Sequence, residues 1–228
     1  MIKKIIKLFV PQIFLILYRK INFKVKNKVE SKNKNEAVGA EQDSSWYDKA
    51  FIDNHHWKRD YNKSPYYFLW TVIIDRIVNR KEEMPSILDL GCGAGQLAYY
   101  LMKSGVKNYV GIDFSKERID FAKNKCEDFE FLNCDFFSIQ FDDIDYDTVI
   151  CLETLEHIND DVKLLKKIKS GSLFIGSVPN FPFTSHVRHF KNKDQVSKRY
   201  SMFFKEFSVH EFLSQNNDIF FLINGIKN

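Results

Sequence analysis

A glycine-rich loop constrains the fold of this chain more than any other feature of its 228 residues. In the segment ILDLGCGAGQLAYYL (residues 87–101), an apolar run ends in an acid, three glycines follow at alternate positions, and a helix-like stretch comes next. Such a loop lets the backbone turn sharply and brings a ligand against the carboxyl end of a strand. The segment therefore predicts a strand, a ligand-binding loop and a helix.

The rest of the body alternates short β-rich runs with helical patterns, which is typical of a parallel sheet built from βαβ units. Near the end, two apolar runs separated only by Ser-Gln-Asn predict an antiparallel hairpin. The predicted fold class is therefore α/β, a doubly wound sheet of about seven strands. The predicted parallel strands and crossover helices are 86–90, 95–104, 109–113, 115–125, 129–135, 146–153, 160–169 and 172–178.

The net charge of +4 hides an asymmetry along the chain. Residues 1–34 contain ten Lys or Arg and one acid, whereas the remainder contains 24 bases and 29 acids. The body therefore lacks the basic surface typical of nucleic-acid binding, and no nucleic-acid partner is expected. Residues 1–26 are interpreted as a basic amphipathic arm and 27–43 as a flexible linker. Residues 44–228 form one domain, which begins with a predicted helical lid (44–80).

The arm has two interpretations. Its apolar stretch, Leu8 to Tyr18, is too short to cross a bilayer, which takes ~20 apolar residues in a helix. It is either an interfacial anchor on an anionic membrane or a helix that packs on its own domain or on a second copy. The four cysteines match neither a CxxC metal site nor a disulfide framework. A reducing, cytoplasmic location is therefore expected, with peripheral contact at the inner membrane face.

The strand ends carry acids that suggest a specific ligand. The glycine spacing is G-x-G-x-G rather than the dinucleotide pattern G-x-G-x-x-G, and Asp89 would repel a pyrophosphate. Asp113, at the end of the second strand, can accept hydrogen bonds from two ribose hydroxyls. Asp135 and Phe136, after the third strand, offer an acceptor for an exocyclic amine and a ring to cover a base. A nucleoside with a cationic, phosphate-free tail fits this set, as in S-adenosylmethionine (SAM).

The segments LDLGCGAG, GIDFS, CDFF and YDTVICLETLEHI resemble, in this order, the motifs of class I SAM-dependent methyltransferases. The resemblance is close between Ser44 and Val178 and includes bacterial glycan- or lipid-cluster-modifying and ubiquinone-type O-methyltransferases. It implies a Rossmann-like fold, SAM as cofactor and a lid residue, Tyr47, in contact with it. The other cofactor contacts that the resemblance implies are Asp89, Gly91, Gly93, Gly95, Asp113, Phe114, Asp135, Phe136 and Leu152.

The segment CLETLEHI, after the fourth strand, places Glu153, Glu156 and His157 near the transferred methyl group. An acceptor hydroxyl loses a proton as it attacks, and His157 or Glu156 could take it as a general base. Alternatively, these three side chains could ligate Mg²⁺ or Mn²⁺, which lowers the pKa of a hydroxyl. The pattern E-x-x-E-H resembles the metal-binding motif of small-RNA 3′-end 2′-O-methyltransferases and equally metal-assisted ubiquinone-type O-methyltransferases. His186 is either a further metal ligand or a loop histidine bonded to backbone.

The predicted function is SAM-dependent methylation of an oxygen on a small-molecule, saccharide or lipid-linked acceptor at the inner membrane surface. Two alternatives stay open: a metal-dependent RNA ribose 2′-O-methyltransferase and a SAM-binding partner subunit without activity. An aromatic segment, residues 55–70, is interpreted either as a wall of the acceptor site, through Tyr61, Tyr66 and Tyr67, or as an amphipathic cover packed on the sheet.

Overall fold

The computed structural model describes residues 39–78, 83–214 and 217–228. The predicted arm (1–26) and most of the predicted linker lie outside these residues. Within the described ranges, every helix is too short or too polar to span a membrane. The body described below begins at residue 39.

The body is built on a seven-stranded sheet with the strand order β3-β2-β1-β4-β5-β7-β6. Strands β1 to β5 are parallel, and β7 runs antiparallel to both β5 and β6. This topology confirms the predicted doubly wound sheet with a terminal antiparallel hairpin. The strands are β1 (Ser86–Leu90), β2 (Asn108–Asp113), β3 (Glu130–Asn133), β4 (Thr148–Leu152), β5 (Leu173–Pro179), β6 (Phe204–Leu213) and β7 (Ile219–Lys227).

Helices cover both faces of the sheet. Because successive strand residues point to opposite faces, Ile87 joins one apolar cluster and Leu88 the other. Helices α2, α3 and α4 pack in the first cluster, and α5 and α6 in the second. The sequence did not predict α6, which is short and polar. The helices are α1 (Ser44–Asp53), α2 (Tyr67–Val78), α3 (Gln96–Lys103), α4 (Lys116–Lys125), α5 (Asp161–Lys166) and α6 (Lys193–Tyr200).

The predicted lid divides into two parts with different roles. Helix α1 and the 3₁₀ turn His55–Lys58 approach the carboxyl edge of the sheet, where a ligand would lie. The 3₁₀ turn Tyr61–Lys63 packs on α3, where Tyr61 stacks on Tyr100. Helix α2 instead buries Leu69, Ile73 and Ile77 against the strands. Their spacing of four residues aligns them on one helix face. Within the predicted lid (44–80), α2 is therefore also a core helix, although its Leu69 and Trp70 face the carboxyl edge of the sheet as well.

The last residues of the predicted flexible linker (27–43) are docked on the body. The backbone N–H of Ala40 donates to the carbonyl of Thr184 at 3.1 Å. The Glu41 carboxylate accepts from the backbone N–H of Asn159 at 3.0 Å and from its side-chain amide at 2.6 Å. Residues 40 and 41 thus pack on the body, because these polar groups find partners on the loops after β4 and β5.

Candidate functional site

A cavity of about 630 Å³ lies at the carboxyl edge of the parallel strands, where α/β sheets bind their ligands. Residues from the lid, from the loops after β1, β2, β3 and β4, and from the loop after β5 contribute to its walls. The sequence-predicted residues that line it are Tyr47, Asp89, Gly91, Gly93, Asp113, Phe114, Asp135, Phe136, Leu152, Glu153, Glu156, His157 and His186.

The end of the cavity beside β1 and β2, here called the cofactor end, is organised by two buried carboxylates. Asp113 accepts hydrogen bonds from the backbone N–H groups of Gly93 at 3.0 Å and Ser115 at 2.9 Å. Asp89 accepts from the hydroxyl of Tyr109 at 2.7 Å, and burial raises its pKa to about 7. Each carboxylate is thus fixed and keeps lone pairs for a ligand. A cation bound here would offset the burial of Asp89.

The glycine loop serves packing as well as binding. Gly93 has a φ of +54°, and a Cβ there would meet no atom within 4 Å, so its backbone faces open space in the cavity. Gly95 has a φ of +70°, and a Cβ there would lie 2.9 Å from Cβ of Ala122. Gly95 is not among the described residues that line the cavity. This glycine lets α3 approach α4, and the predicted cofactor contact at Gly95 stays a prediction.

Aromatic rings line one side of the cofactor end. The ring of Phe114 lies 5.2 Å from that of Tyr47, and Phe136 lines the same wall. One carboxylate oxygen of Asp135 accepts from the N–H of Phe137 at 2.6 Å, which fixes the loop after β3. The arrangement places two rings and an exposed acceptor where the sequence predicted an adenine.

Arg118 occupies a position that the sequence did not reveal. It lines the cavity from α4, with its guanidinium 4.9 Å from the Tyr47 ring centre and 5.4 Å from the Trp57 ring centre. Asp48 of the lid accepts from the Ser115 hydroxyl at 2.6 Å and so ties α1 to the start of α4. These contacts hold the lid over the cofactor end by cation–π attraction and a buried hydrogen bond.

The opposite end, here called the acceptor end, contains the buried carboxyl group of Glu156 and the half-buried one of Glu153. Burial raises the pKa of Glu156 well above its usual range, and the neighbouring Glu153 adds to the rise. Neither carboxylate oxygen of Glu156 has a hydrogen-bond partner among the described residues. Glu153, at a φ of +50°, accepts from the Ser177 hydroxyl at 2.7 Å, and burial raises its pKa to about 8. An orphaned buried acid such as Glu156 is costly unless something pairs with it.

Two histidines present unprotonated nitrogens beside Glu156. Nδ1 of His157 lies 2.9 Å from the Ser185 carbonyl, and Nδ1 of His186 lies 3.0 Å from the Phe181 carbonyl. Only a protonated nitrogen can donate to a carbonyl, so Nε2 is the free acceptor in both neutral rings. The two rings meet edge to face with centres 4.7 Å apart. Burial lowers the pKa of His157 to about 4 and also lowers that of His186.

Ligand atoms of Glu156, His157 and His186 all lie within 4.8 Å of one another. Glu153, also predicted as a metal-ligand candidate, is turned to Ser177 instead. His186 joins the group although only 29 residues separate it from His157, because the loops after β4 and β5 leave neighbouring strands. The predicted cluster thus forms with three of its four members.

The aromatic segment 55–70 divides between the two interpretations given for it. Tyr66 lines the cavity together with Trp70. Tyr61 stacks on Tyr100 with ring centres 4.5 Å apart, and neither Tyr61 nor Tyr67 is among the described residues that line the cavity. Of the three tyrosines proposed for the acceptor site, Tyr66 alone therefore lines the cavity within the described residues.

Residues 88–170 match a family described as a methyltransferase domain. A ubiquinone biosynthesis O-methyltransferase of Coxiella burnetii is 33% identical over 116 residues, 44% of this chain and 46% of that protein. The chain carries a class I SAM-dependent methyltransferase domain. It spans about half the length of the curated relatives it matches.

Solved structures share the fold of this methyltransferase domain. The N-methyltransferase NodS from Bradyrhizobium japonicum, in complex with S-adenosylhomocysteine (SAH), covers 82% of this chain and all of its own, with 15% identity and a TM-score of 0.62. Magnesium protoporphyrin IX methyltransferase from Synechocystis, with bound SAM, covers 85% of this chain and all of its own, with 17% identity and a TM-score of 0.61. At these identities the likeness shows the fold alone.

Proposed function

We propose that this chain transfers a methyl group from SAM to an oxygen of a small-molecule acceptor. The observation that carries the proposal is that one cavity joins the carboxylates of the cofactor end to the cluster at the acceptor end. Its volume of about 630 Å³ suits a nucleoside cofactor with a small acceptor beside it. The matched relatives named as O-methyltransferases support oxygen as the atom that is methylated.

The cofactor end supplies the groups that SAM needs. Asp113 would accept from the ribose hydroxyls while it holds the backbone of Gly93, and Asp89 would face the cationic part of the methionine group. Phe114 and Phe136 would flank the adenine. With SAM so placed, the sulfonium methyl would point along Leu152 toward the acceptor end.

The acceptor end must remove a proton from the attacking hydroxyl. His157 is neutral, with Nε2 free, but a pKa of about 4 makes it a weak base near neutral pH. Glu156 is 3.8 Å from Nε2 of His157 and has no other partner among the described residues. His157 would therefore act as a general base only if substrate binding changed its surroundings so that its pKa rose.

A divalent metal at the acceptor end fits these residues better than a lone base does. Metal-ligating histidines usually donate their second nitrogen to a carbonyl or carboxylate, as both His157 and His186 do. The orphaned carboxylate of Glu156 completes a set of two nitrogens and one oxygen. Mg²⁺ prefers oxygen ligands, so this set favours Mn²⁺ or Zn²⁺. Bound there, the metal would lower the pKa of the acceptor hydroxyl.

Methyl transfer from SAM to hydroxylated acceptors, assayed with EDTA and with Mn²⁺ or Zn²⁺, tests both proposals. We expect transfer that EDTA abolishes and metal restores, and His157→Ala to reduce the turnover number by about 100-fold with little loss of SAH affinity. His189→Ala is the matched control, because His189 is in the same loop as His186 but is not among the described cavity residues. Transfer unaffected by EDTA would return His157 to the role of general base, and wild-type turnover in His157→Ala would remove it from the mechanism.

The acceptor class and its location are proposed from the sequence of the arm. A lipid-linked saccharide or another lipid acceptor would be presented by the inner membrane surface to which the basic arm binds. Tyr66, Trp70 and Phe181 line the acceptor end and offer rings on which a sugar or quinol could stack. The full-length chain should sediment with phosphatidylglycerol vesicles and not with phosphatidylcholine vesicles. Sedimentation that persists when Lys3, Lys4 and Lys7 are replaced by Glu would contradict this role.

An RNA ribose acceptor is the second candidate, and the proximity of His186 to His157 favours it. That proximity, with ring centres 4.7 Å apart, brings together the ligand types expected of small-RNA 2′-O-methyltransferases. The acidic balance of the residues after 34 argues against it. Methylation of a small-RNA 3′ end in the same assay would establish this alternative. A SAM-binding subunit without activity is disfavoured, because Glu153, Glu156 and His157 all face the cavity.

A further inference from the structure

The loops after β4 and β5 meet behind the acceptor end. The loop after β4 carries Glu156 and His157, and the loop after β5 carries His186. The backbone N–H of Val187 donates to the Glu156 carbonyl at 2.8 Å, and Nδ1 of His157 donates to the Ser185 carbonyl at 2.9 Å. The positions of the three cluster side chains therefore depend on how one loop is held against the other.

Arg188 joins the two loops with one guanidinium group. Its Nη1 donates to the carbonyls of Leu155 and Ile158, both at 2.5 Å, and its Nη2 donates to the carbonyl of Asn159 at 3.1 Å. These carbonyls belong to the 3₁₀ turn Leu155–His157 and the residues just after it. The end of so short a turn leaves carbonyls without partners in the turn itself, and a planar fork of donors can satisfy several at once.

A buried carboxylate fixes the guanidinium from behind. Asp161 is fully buried, and one of its oxygens lies 3.2 Å from Nη1 of Arg188. The same carboxylate accepts two hydrogen bonds from Arg199, at 2.6 and 2.8 Å, and one from the Tyr200 hydroxyl at 2.8 Å. Helix α6 thereby anchors the start of α5, and Arg188 is held in one orientation by charge and by geometry.

We infer that Arg188 is a positioning residue for the reaction: its bridge to the loop after β4 sets the placement of Glu156 and His157 relative to His186. Arg188 is not among the described residues that line the cavity, so it acts through these side chains and touches no substrate. Transfer reactions are sensitive to displacements of about 1 Å in the groups that carry them. The catalytic part of this inference rests on the proposed function.

Arg199 provides a matched control. It pairs with the same buried Asp161, but its hydrogen bonds go to that carboxylate and not to the carbonyls of the loop after β4. Arg188→Met and Arg199→Met therefore both disturb the ion pair, and only Arg188→Met releases the loop. We expect Arg188→Met to reduce the turnover number about 30-fold or more with the KM for SAM within about threefold. Arg199→Met should lose thermal stability but keep the turnover number within about threefold.

Conservative variants and chemical rescue keep the test decisive if Arg188→Met folds poorly. Arg188→Lys retains the charge but cannot reach three carbonyls from one ammonium group, so it should restore stability more than turnover. In Arg188→Ala, millimolar guanidinium should restore part of the lost turnover and leave Arg199→Met unaffected. Equal losses of turnover in Arg188→Met and Arg199→Met, in proportion to their melting temperatures, would reduce Arg188 to a structural role and overturn the inference.

A spectroscopic readout separates this inference from the proposed function. The Nδ1 proton that His157 donates to Ser185 gives a downfield NMR signal that reports the contact between the loops. We expect the signal to be lost or broadened in Arg188→Met and kept in Arg199→Met. If the wild-type protein transferred no methyl group, the proposed function would fail, and this comparison would still decide whether Arg188 places His157. An unchanged His157 signal in Arg188→Met would contradict the inference.

Discussion

The two ends of the cavity differ in how their buried acids are satisfied. At the cofactor end, Asp113 and Asp89 accept hydrogen bonds from backbone groups and from Tyr109. At the acceptor end, both oxygens of Glu156 lack a partner among the described residues, and burial raises the pKa of Glu153 to about 8. Hydrogen bonds offset part of the burial cost at the first end, although burial still raises the pKa of Asp89 and of Asp113. Glu156 at the second end has no such bonds, so a bound cation or proton would relieve a larger electrostatic cost there.

Asp113→Ala should have the largest effect, and only at the cofactor end. The substitution removes the acceptor for the ribose hydroxyls and releases the N–H of Gly93, so SAH affinity should fall about 100-fold or more. Titration calorimetry measures the loss. Asp120→Ala is the control, since Asp120 is an exposed acid on the helix that follows β2. Unchanged SAH binding in Asp113→Ala would remove the ribose assignment.

Glu156→Gln should separate activity from stability at the acceptor end. An uncharged amide at a fully buried site costs less than an orphaned carboxylate, so the free energy of unfolding at pH 8 should rise by ~1–2 kcal/mol. The turnover number should fall about 30-fold or more, because a metal ligand or proton acceptor is lost. Urea unfolding and the transfer assay give the two values. A variant that is less stable and fully active would contradict the account of this end.

The pH dependence of stability should show the same contrast. Because burial raises the pKa of Glu153 from 4.5 to about 8, the folded state keeps a proton that the unfolded state has released across this interval. Stability from this group is complete below pH 4.5 and is lost as the pH rises to about 8, by ~1–3 kcal/mol. Urea unfolding in EDTA at several pH values should show a shallower decline for Glu153→Gln. Parallel declines in the two proteins would show that Glu153 ionises normally.

Arg118→Met should have the smallest effect. The loss of cation–π contacts to Tyr47 and Trp57 loosens the lid, so the KM for SAM should rise about three- to fivefold with the turnover number nearly unchanged. Lys116→Met, on the same helix with an exposed side chain, should leave both values as they are. Equal KM values in the two variants would show that Arg118 does not hold the lid.

The two ends also differ in how far sequence predicts them. Asp113 ends β2 and Asp89 is the next-to-last residue of β1, and their positions follow from the motifs themselves. Strand β1 begins and ends as predicted, at Ser86 and Leu90. The acceptor end depends on two loops that meet only in the fold, so His186 could not be assigned between a structural and a functional role. Arg118 was missed because its aromatic partners lie about 60 to 70 positions earlier in the chain.

The sequence did not show that α2 is a core helix or that α6 forms, and the two causes are related. Apolar residues at intervals of four are typical both of a helix that covers a binding site and of a core helix. The pattern alone therefore placed α2 in the predicted lid. Helix α6 has few apolar residues, and its buried residues are Val196 and Tyr200. Its Arg199 pairs with Asp161, which is distant in sequence, so the sequence pattern does not reveal how the helix is held. Gly95 matches the motif and also packs against Ala122, so the motif alone does not separate ligand approach from helix packing.

Titration of the full-length protein with SAH by calorimetry tests the central claim most directly, namely that the cavity at the carboxyl edge of the sheet is a SAM site. We predict one site per chain with a dissociation constant in the micromolar range, about −7 to −8 kcal/mol, and binding that persists in EDTA because the cofactor end needs no metal. The absence of binding heat at millimolar SAH, with and without Mn²⁺, would contradict the account and leave the glycine loop as a structural turn.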